Sequence, residues 1–178
     1  MRLLPETRTT PDETRAALPG DDLVPDAAVV MDRAFTLAAR PETVWPWFAQ
    51  LGKQRGGWYF PRSVERFIPP SRRAARAVDG RWQGLRVGDQ VPDYGGPHET
   101  FTVAAIDPPT SLVYSSKRRG ADVSWSINLR PLPPGGTRVQ LRLRMGPVKQ
   151  RWLVESVGGL FDLLTIAGLA AGLRERLP

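Results

Sequence analysis

The chain has no cysteine and a single histidine, His98. The first absence excludes disulfides and thiolate-ligated metals, and the second excludes a multi-histidine metal centre, so neither a metal nor a cofactor is expected. There is no Gly-x-Ser-x-Gly elbow, no phosphate-binding loop and no His-Glu-x-x-His pair. A nucleophilic triad would need His98 as its base. That residue stands in Gly95-Gly96-Pro97-His98, a loop pattern that favours an exposed imidazole. Long hydrophobic runs are missing as well. The N-terminal 20 residues carry Glu6, Asp12 and Glu13 with three prolines and no apolar h-region, so a cytoplasmic location is expected. The uncharged run Leu163–Leu173 is 11 residues long, against the roughly 20 that a spanning helix needs. Membrane contact is therefore the weaker reading.

Positive charge is in excess. The formal net charge is +7 over 178 residues, a length sufficient for one domain with a substantial core. A basic balance suits nucleic acid, anionic lipid or an acidic ligand, but an Arg-rich surface serves solubility equally well. Binding to single-stranded nucleic acid calls for aromatics interleaved with the arginines on an exposed face. In Ser124–Arg130, Trp125 alternates onto the apolar side instead. Nucleic acid is not expected as a partner.

Residues 1–28 are polar and proline-rich and read as a flexible tail, with one domain over residues 29–178. Val29–Leu37 alternates as a first strand. Pro41 then opens a short helix over residues 41–51, with Glu42 in its first turn. A second short helix is expected over Pro61–Ile68, where Val64, Phe67 and Ile68 are apolar and Pro69-Pro70 closes it. Ser71–Arg86 reads as an exposed basic loop. Extended segments follow at residues 89–94, 99–106 and 111–117.

Two strands are clearer. Residues 123–130 put Trp125, Ile127 and Leu129 on one face, and residues 137–146 do the same with Val139, Leu141, Leu143 and Met145. Pro133-Pro134-Gly135-Gly136 joins them as a hairpin, and Arg138, Arg142 and Arg144 are expected on a solvated opposite face.

The last segment, Arg151–Leu177, is the one long helical pattern. Leu153, Val157, Leu160, Leu164, Ala167 and Ala171 form a stripe suited to the core, with a break expected at Gly158-Gly159. Ile166, Leu169 and Leu173 make a second apolar face, which needs cover of its own. The spacing of Gly168 and Gly172 suits close packing of this helix on a sheet.

The stretch Ala39-Arg40-Pro41-Glu42-Thr43-Val44-Trp45-Pro46-Trp47-Phe48, followed by Gln50-Leu51-Gly52-Lys53-Gln54-Arg55-Gly56-Gly57-Trp58-Tyr59, resembles the SRPBCC (START/Bet v 1-like) proteins. These are often described as polyketide cyclase/dehydrase or lipid-transport proteins. Leu18–Pro25 and Gly172–Arg176 are similar to a bacterial, largely actinobacterial branch, and the resemblance covers roughly residues 18–178. It implies an α+β helix-grip fold, in which a curved antiparallel sheet wraps a long C-terminal helix and two short helices follow the first strand. It also implies a cavity between helix and sheet. Side chains expected to line that cavity are Trp45, Phe48, Trp58, Tyr59, Phe101, Trp125, Ile127, Leu141, Leu160 and Leu164.

Two functions fit. One is binding of an apolar small molecule such as a lipid or polyketide. The other is cyclisation or dehydration of a polyketide-like chain, assisted by an arginine, a tyrosine and a carboxylate. The candidates for that assistance are Arg55, Tyr59 and Glu65. Set against them, Gln50 and Arg55 are suited to satisfying loop carbonyls, and Tyr59 to filling core. The clear strands place no ionisable group inward, which favours binding over catalysis.

Overall fold

The computed structural model describes residues 7–94, 96, 98–118, 120–148, 156 and 158–178. In chain order its elements are α1 (Pro11–Arg15), β1 (Val29–Leu37), α2 (Pro41–Ala49), the single-turn α3 (Arg62–Glu65) and β2 (Gln90–Pro92). Then come β3 (Thr100–Asp107), β4 (Ser111–Arg118), β5 (Ala121–Leu132), β6 (Gly136–Gly146) and α4 (Gly159–Arg174). The six strands form one antiparallel sheet in the order β1-β6-β5-β4-β3-β2, with α4 packed against its inner face. This is the expected helix-grip arrangement. The 62–68 helix is shorter than expected, and Phe67 is 77% exposed instead of packed.

Register distributes the side chains. Ile127 pairs with Leu141 and Leu129 with Val139, while Leu112 lies opposite Ile127. Directly opposed residues share a face. The inner face therefore carries Phe35, Leu112, Ile127, Val139 and Leu141, all buried with Val44 and Phe48 of α2.

The orientation of α4 differs from the sequence reading. Leu160 and Leu164 are 57% and 54% exposed, while Ile166, Leu169 and Leu173 are buried. Both faces are apolar, so composition does not choose between them, and the contacts of small and charged residues do. A Cβ on Gly168 would come within 2.6 Å of the Phe60 ring, and one on Gly172 would collide with the Tyr59 carbonyl. The two glycines thus admit the Tyr59-Phe60 segment rather than a strand. On another side, Asp162 pairs with Arg33 of β1 at 2.9 Å, and Arg33 Nη2 donates to the Gly159 carbonyl at 3.0 Å. The expected stripe residues Leu153 and Val157 lie outside the described residues.

The outer face is not solvated along β6. Residues 7–28, expected as a flexible tail, run across it and are held there by polar contacts. Thr10 and Glu13 form a capping box that starts α1. The Glu13 carboxylate then accepts from Arg138 Nε at 2.7 Å and Nη2 at 2.8 Å. Arg142, with a side chain only 4% exposed, donates to the carbonyls of Thr14 and Ala16 and to Asp21 and Asp32. Arg144 reaches the carbonyls of Val24 and Pro25. At Gly20, φ is +89° and a Cβ would stand 2.5 Å from a Val113 methyl, so glycine lets the segment press on β4. The arginines of β6 therefore bind this segment, which lacks apolar periodicity because its anchors are carbonyls and carboxylates.

Removing residues 1–16 should strip partners from Arg138 and Arg142. With charged hydrogen bonds contributing about 1.5–3 kcal/mol each, the expected cost is about 3 kcal/mol or more, or roughly 6–12 °C in melting temperature. Thermal denaturation of the truncated and full chains measures it. Hydrogen bonding from Arg138 lowers the Glu13 pKa from 4.5 to about 2. A depressed carboxyl pKa stabilises the fold above the unfolded value and loses that effect as pH falls through the folded one. The stability gap between the native chain and Glu13→Gln should therefore close between pH 4.5 and about pH 2, as followed by acid-dependent melting.

Candidate functional site

The inner face of β3, β4 and β5 carries a cluster of aromatic rings beside α4. Tyr114 lies opposite Trp125, which lies opposite Leu143, so one row crosses three strands. Tyr114 stacks on Trp125 with centroids 5.7 Å apart and planes 18° apart. Phe101 leans on both, at 5.6 Å from Tyr114 and 5.8 Å from Trp125. Trp58 stacks on Trp125 at 6.0 Å and 22°, and Tyr94 meets Trp58 edge-on at 6.4 Å. Offset and edge contacts of this kind add to the stabilisation that burial gives.

Trp58 arrives there through a tight reversal. Gly52 and Gly57 pair as an isolated bridge, and Gly57 has φ +82°, where a Cβ would meet the Ala74 Cα at 2.8 Å. The Trp58 indole N–H then donates to the Thr165 carbonyl of α4 at 3.1 Å. One ring thus joins the aromatic wall to the helix. Phe101 and Tyr114 are buried, whereas Trp58, Trp125, Leu143 and Met145 are only partly covered.

Charged groups border this wall. Arg118 stacks over Phe101 at 4.5 Å and pairs with Asp93 at 2.5 Å. Arg33 shares the inner face with Leu141 and pairs with Asp162. Burial pushes the Asp162 carboxyl pKa up, and Arg33 opposes that rise. The clear strands β5 and β6 do send their charges outward, and the inward ionisable group is Arg33, on a loosely alternating first strand that the sequence did not assign to a face.

The sequence candidates separate into three sets. Trp58, Phe101 and Trp125 come together in the aromatic wall. Trp45, Phe48, Tyr59, Ile127 and Leu141 lie in closed core. Leu160 and Leu164 are exposed.

Arg55 donates from Nη2 to the carbonyls of Ala49 and Trp82 and stacks over the Trp82 ring at 4.7 Å. Gln50 joins the same loops by donating to the Ala77 carbonyl and accepting from the Asp79 amide. Tyr59 is fully buried, and its hydroxyl donates to the Trp47 carbonyl at 2.9 Å. Burial drives its phenol pKa well above the ordinary value. Glu65 is buried between Arg176, at 2.6 Å, and Arg76. Tyr59 and Glu65 therefore act as structural anchors for the C-terminal end of α4.

Missing from the sequence candidates are Tyr114, Arg118 and the Arg33–Asp162 pair. Tyr114 was legible only through its register with Trp125, since Leu112-Val113-Tyr114 is apolar without alternation. His98 is exposed. Among the described residues no three His, Asp or Glu side chains gather to hold a metal, and no helix is long and apolar enough to cross a membrane.

Two surface cavities lie elsewhere. One, of about 470 Å³, sits between the start of α2 and the β5–β6 hairpin. The other, of about 650 Å³, sits between residues 10–19 and the outer face. Neither touches the aromatic wall.

A family model described as polyketide cyclase / dehydrase and lipid transport matches residues 28–177. Solved structures share the fold at low identity. The protein NE0264 from Nitrosomonas europaea is 20% identical over 84% of this chain and 97% of its own, with a TM-score of 0.54. An Arthrobacter aurescens protein is 17% identical, covering 83% and 87%, with a TM-score of 0.53. CalU16 from Micromonospora echinospora is 19% identical, covering 84% and 76%, with a TM-score of 0.51. No curated protein matches the chain.

Replacing Glu65 by Ala should leave the buried Arg176 uncompensated and cost about 3–5 kcal/mol of stability. A structural Glu65 further requires that ligand affinity, measured where the variant is still folded, stays unchanged. Denaturant titration and binding on the same sample test both.

Proposed function

The chain belongs to the polyketide cyclase / dehydrase and lipid transport family of the SRPBCC superfamily, and on that premise we propose that it binds an apolar small molecule between the sheet and α4. The observation that carries this reading is the aromatic wall. Trp58 and Trp125 are only partly buried although they lie on the inner side of the sheet. A stable core buries such rings, because each apolar square ångström withheld from water contributes about 25 cal/mol. Partly buried aromatic residues on the inner side of a helix-grip sheet suit a flat or elongated hydrocarbon. The family description covers lipid and polyketide chemistry, and both are apolar.

A second reading is cyclisation or dehydration of a polyketide-like chain in the same space. Asp162 favours it: a carboxyl whose pKa is raised by burial is closer to carrying a proton at neutral pH, and it stands beside a fixed guanidinium. In this reading Asp162 holds or delivers the proton and the wall folds the chain. Asp162→Asn would then abolish turnover while leaving affinity for an inert apolar probe intact.

Titration with a fluorescent fatty acid and with a polyaromatic probe tests the binding reading. Leu143→Trp adds bulk directly beside Trp125 on the inner face. Saturable binding to the native chain, reduced at least about tenfold in Leu143→Trp with the fold intact, is the expected result. Absence of saturable binding to either probe overturns it.

A further inference from the structure

Two tyrosines are buried on the inner side of this protein, and their hydroxyls are treated differently. Tyr59 is fully buried and donates to the Trp47 carbonyl. Tyr114 is 2% exposed, and its hydroxyl has no hydrogen-bond partner among the described residues. Leaving a buried hydroxyl unpaired is destabilising, and the large majority of buried polar atoms are paired. Phenylalanine would fill the same volume beside Phe101 and Trp125 without that cost. The hydroxyl is therefore unexplained by packing.

A second polar atom is in the same condition. Arg55 Nε is buried and has no hydrogen-bond partner among the described residues, although Nη2 of the same guanidinium is held by two carbonyls and the plane rests on Trp82. Those anchors keep Arg55 from turning away. Its charge also reaches Tyr114: burial drives the phenol pKa well up, and Arg55 opposes the rise. The phenol thus stays protonated and is a donor, within the longer-range field of a fixed positive charge. A cationic or purely donating ligand group is disfavoured there. An oxygen that accepts, and that gains negative character on accepting, is favoured.

Resting on the ligand-space reading above, we propose that Tyr114 is its polar anchor and selects planar aromatic ligands bearing a carbonyl oxygen. The rings supply the specificity for a flat ligand. Trp58 and Trp125 lie nearly parallel and Tyr114 continues the stack, so an aromatic ligand can extend it and present an edge oxygen to the hydroxyl. Arg55 acts at longer range, polarising that oxygen. Tyr114 is a positioning residue in this scheme, since a phenol of raised pKa is a poor base at neutral pH.

The test uses the full chain and two probes of nearly equal shape, 2-acetylnaphthalene and 2-ethylnaphthalene, which differ by a carbonyl in place of a methylene. The native chain should bind the ketone about tenfold more tightly, the size of one good buried hydrogen bond. Tyr114→Phe should bind both alike, with hydrocarbon affinity and melting temperature unchanged or raised. The infrared carbonyl stretch of the bound ketone should be red-shifted in the native chain and return toward its apolar-solvent position in the variant. Equal binding of both probes to the native chain overturns the anchor and leaves the ligand space standing. Binding of neither probe overturns both. A ketone preference that survives in Tyr114→Phe, or a variant that melts several degrees lower with the preference intact, assigns the hydroxyl to an internal water and also overturns the proposal.

Discussion

An antiparallel sheet has two faces, and a fold built on one has to cover both. In this protein the alternation of β6 makes the requirement explicit. Val139, Leu141 and Leu143 point one way and Arg138, Gln140, Arg142 and Arg144 the other. The inner face is covered by apolar contact with α2 and α4. The outer face is covered by residues 7–28, which offer carbonyls and carboxylates to a row of guanidiniums. Hydrophobic burial is non-directional, so the inner cover is placed by a few specific contacts, such as Arg33 with Asp162 and Trp58 with the Thr165 carbonyl. Hydrogen bonds are directional, so the outer cover is fixed in register with the strand. The outer cover is thus polar and directional, and the inner one is mainly apolar.

That division explains what the sequence made legible. Period-two alternation located β5 and β6 to within a few residues, because a half-buried strand cannot hide its pattern. The family resemblance, carried by residues 39–59, supplied the topology. The covering segment was not legible: Thr10, Glu13 and Asp21 are ordinary turn and cap residues until a partner strand is specified. The orientation of α4 was misread because Leu160 and Leu164 are as apolar as Ile166 and Leu169. What decides it is steric admission of Phe60 at Gly168 and the pull of Arg33 on Asp162, both of them long-range contacts.

The site follows the same logic. Trp58, Phe101 and Trp125 were identifiable as large apolar groups in inward or loop positions. Tyr59 and Glu65 were reasonable as chemical candidates, since type and position alone do not distinguish a free hydroxyl from a spent one. Their commitments to Trp47 and Arg176 become visible only in three dimensions. Tyr114 went unmarked because Leu112, Val113 and Tyr114 are all buried, Val113 by the N-terminal segment and its neighbours by the core. A strand covered on both sides has no alternation to read.

The contact between Trp58 and Trp125 has a consequence of an optical kind. Two indoles 6.0 Å apart and 22° from parallel are close enough for their electronic transitions to couple, and one of them is tied to α4 through Thr165. The coupling depends steeply on separation and angle. A molecule that slips between the rings, or a shift of the helix that draws Trp58 with it, changes the circular dichroism of the pair without any label. The protein therefore contains its own spectroscopic gauge of the distance between helix and sheet.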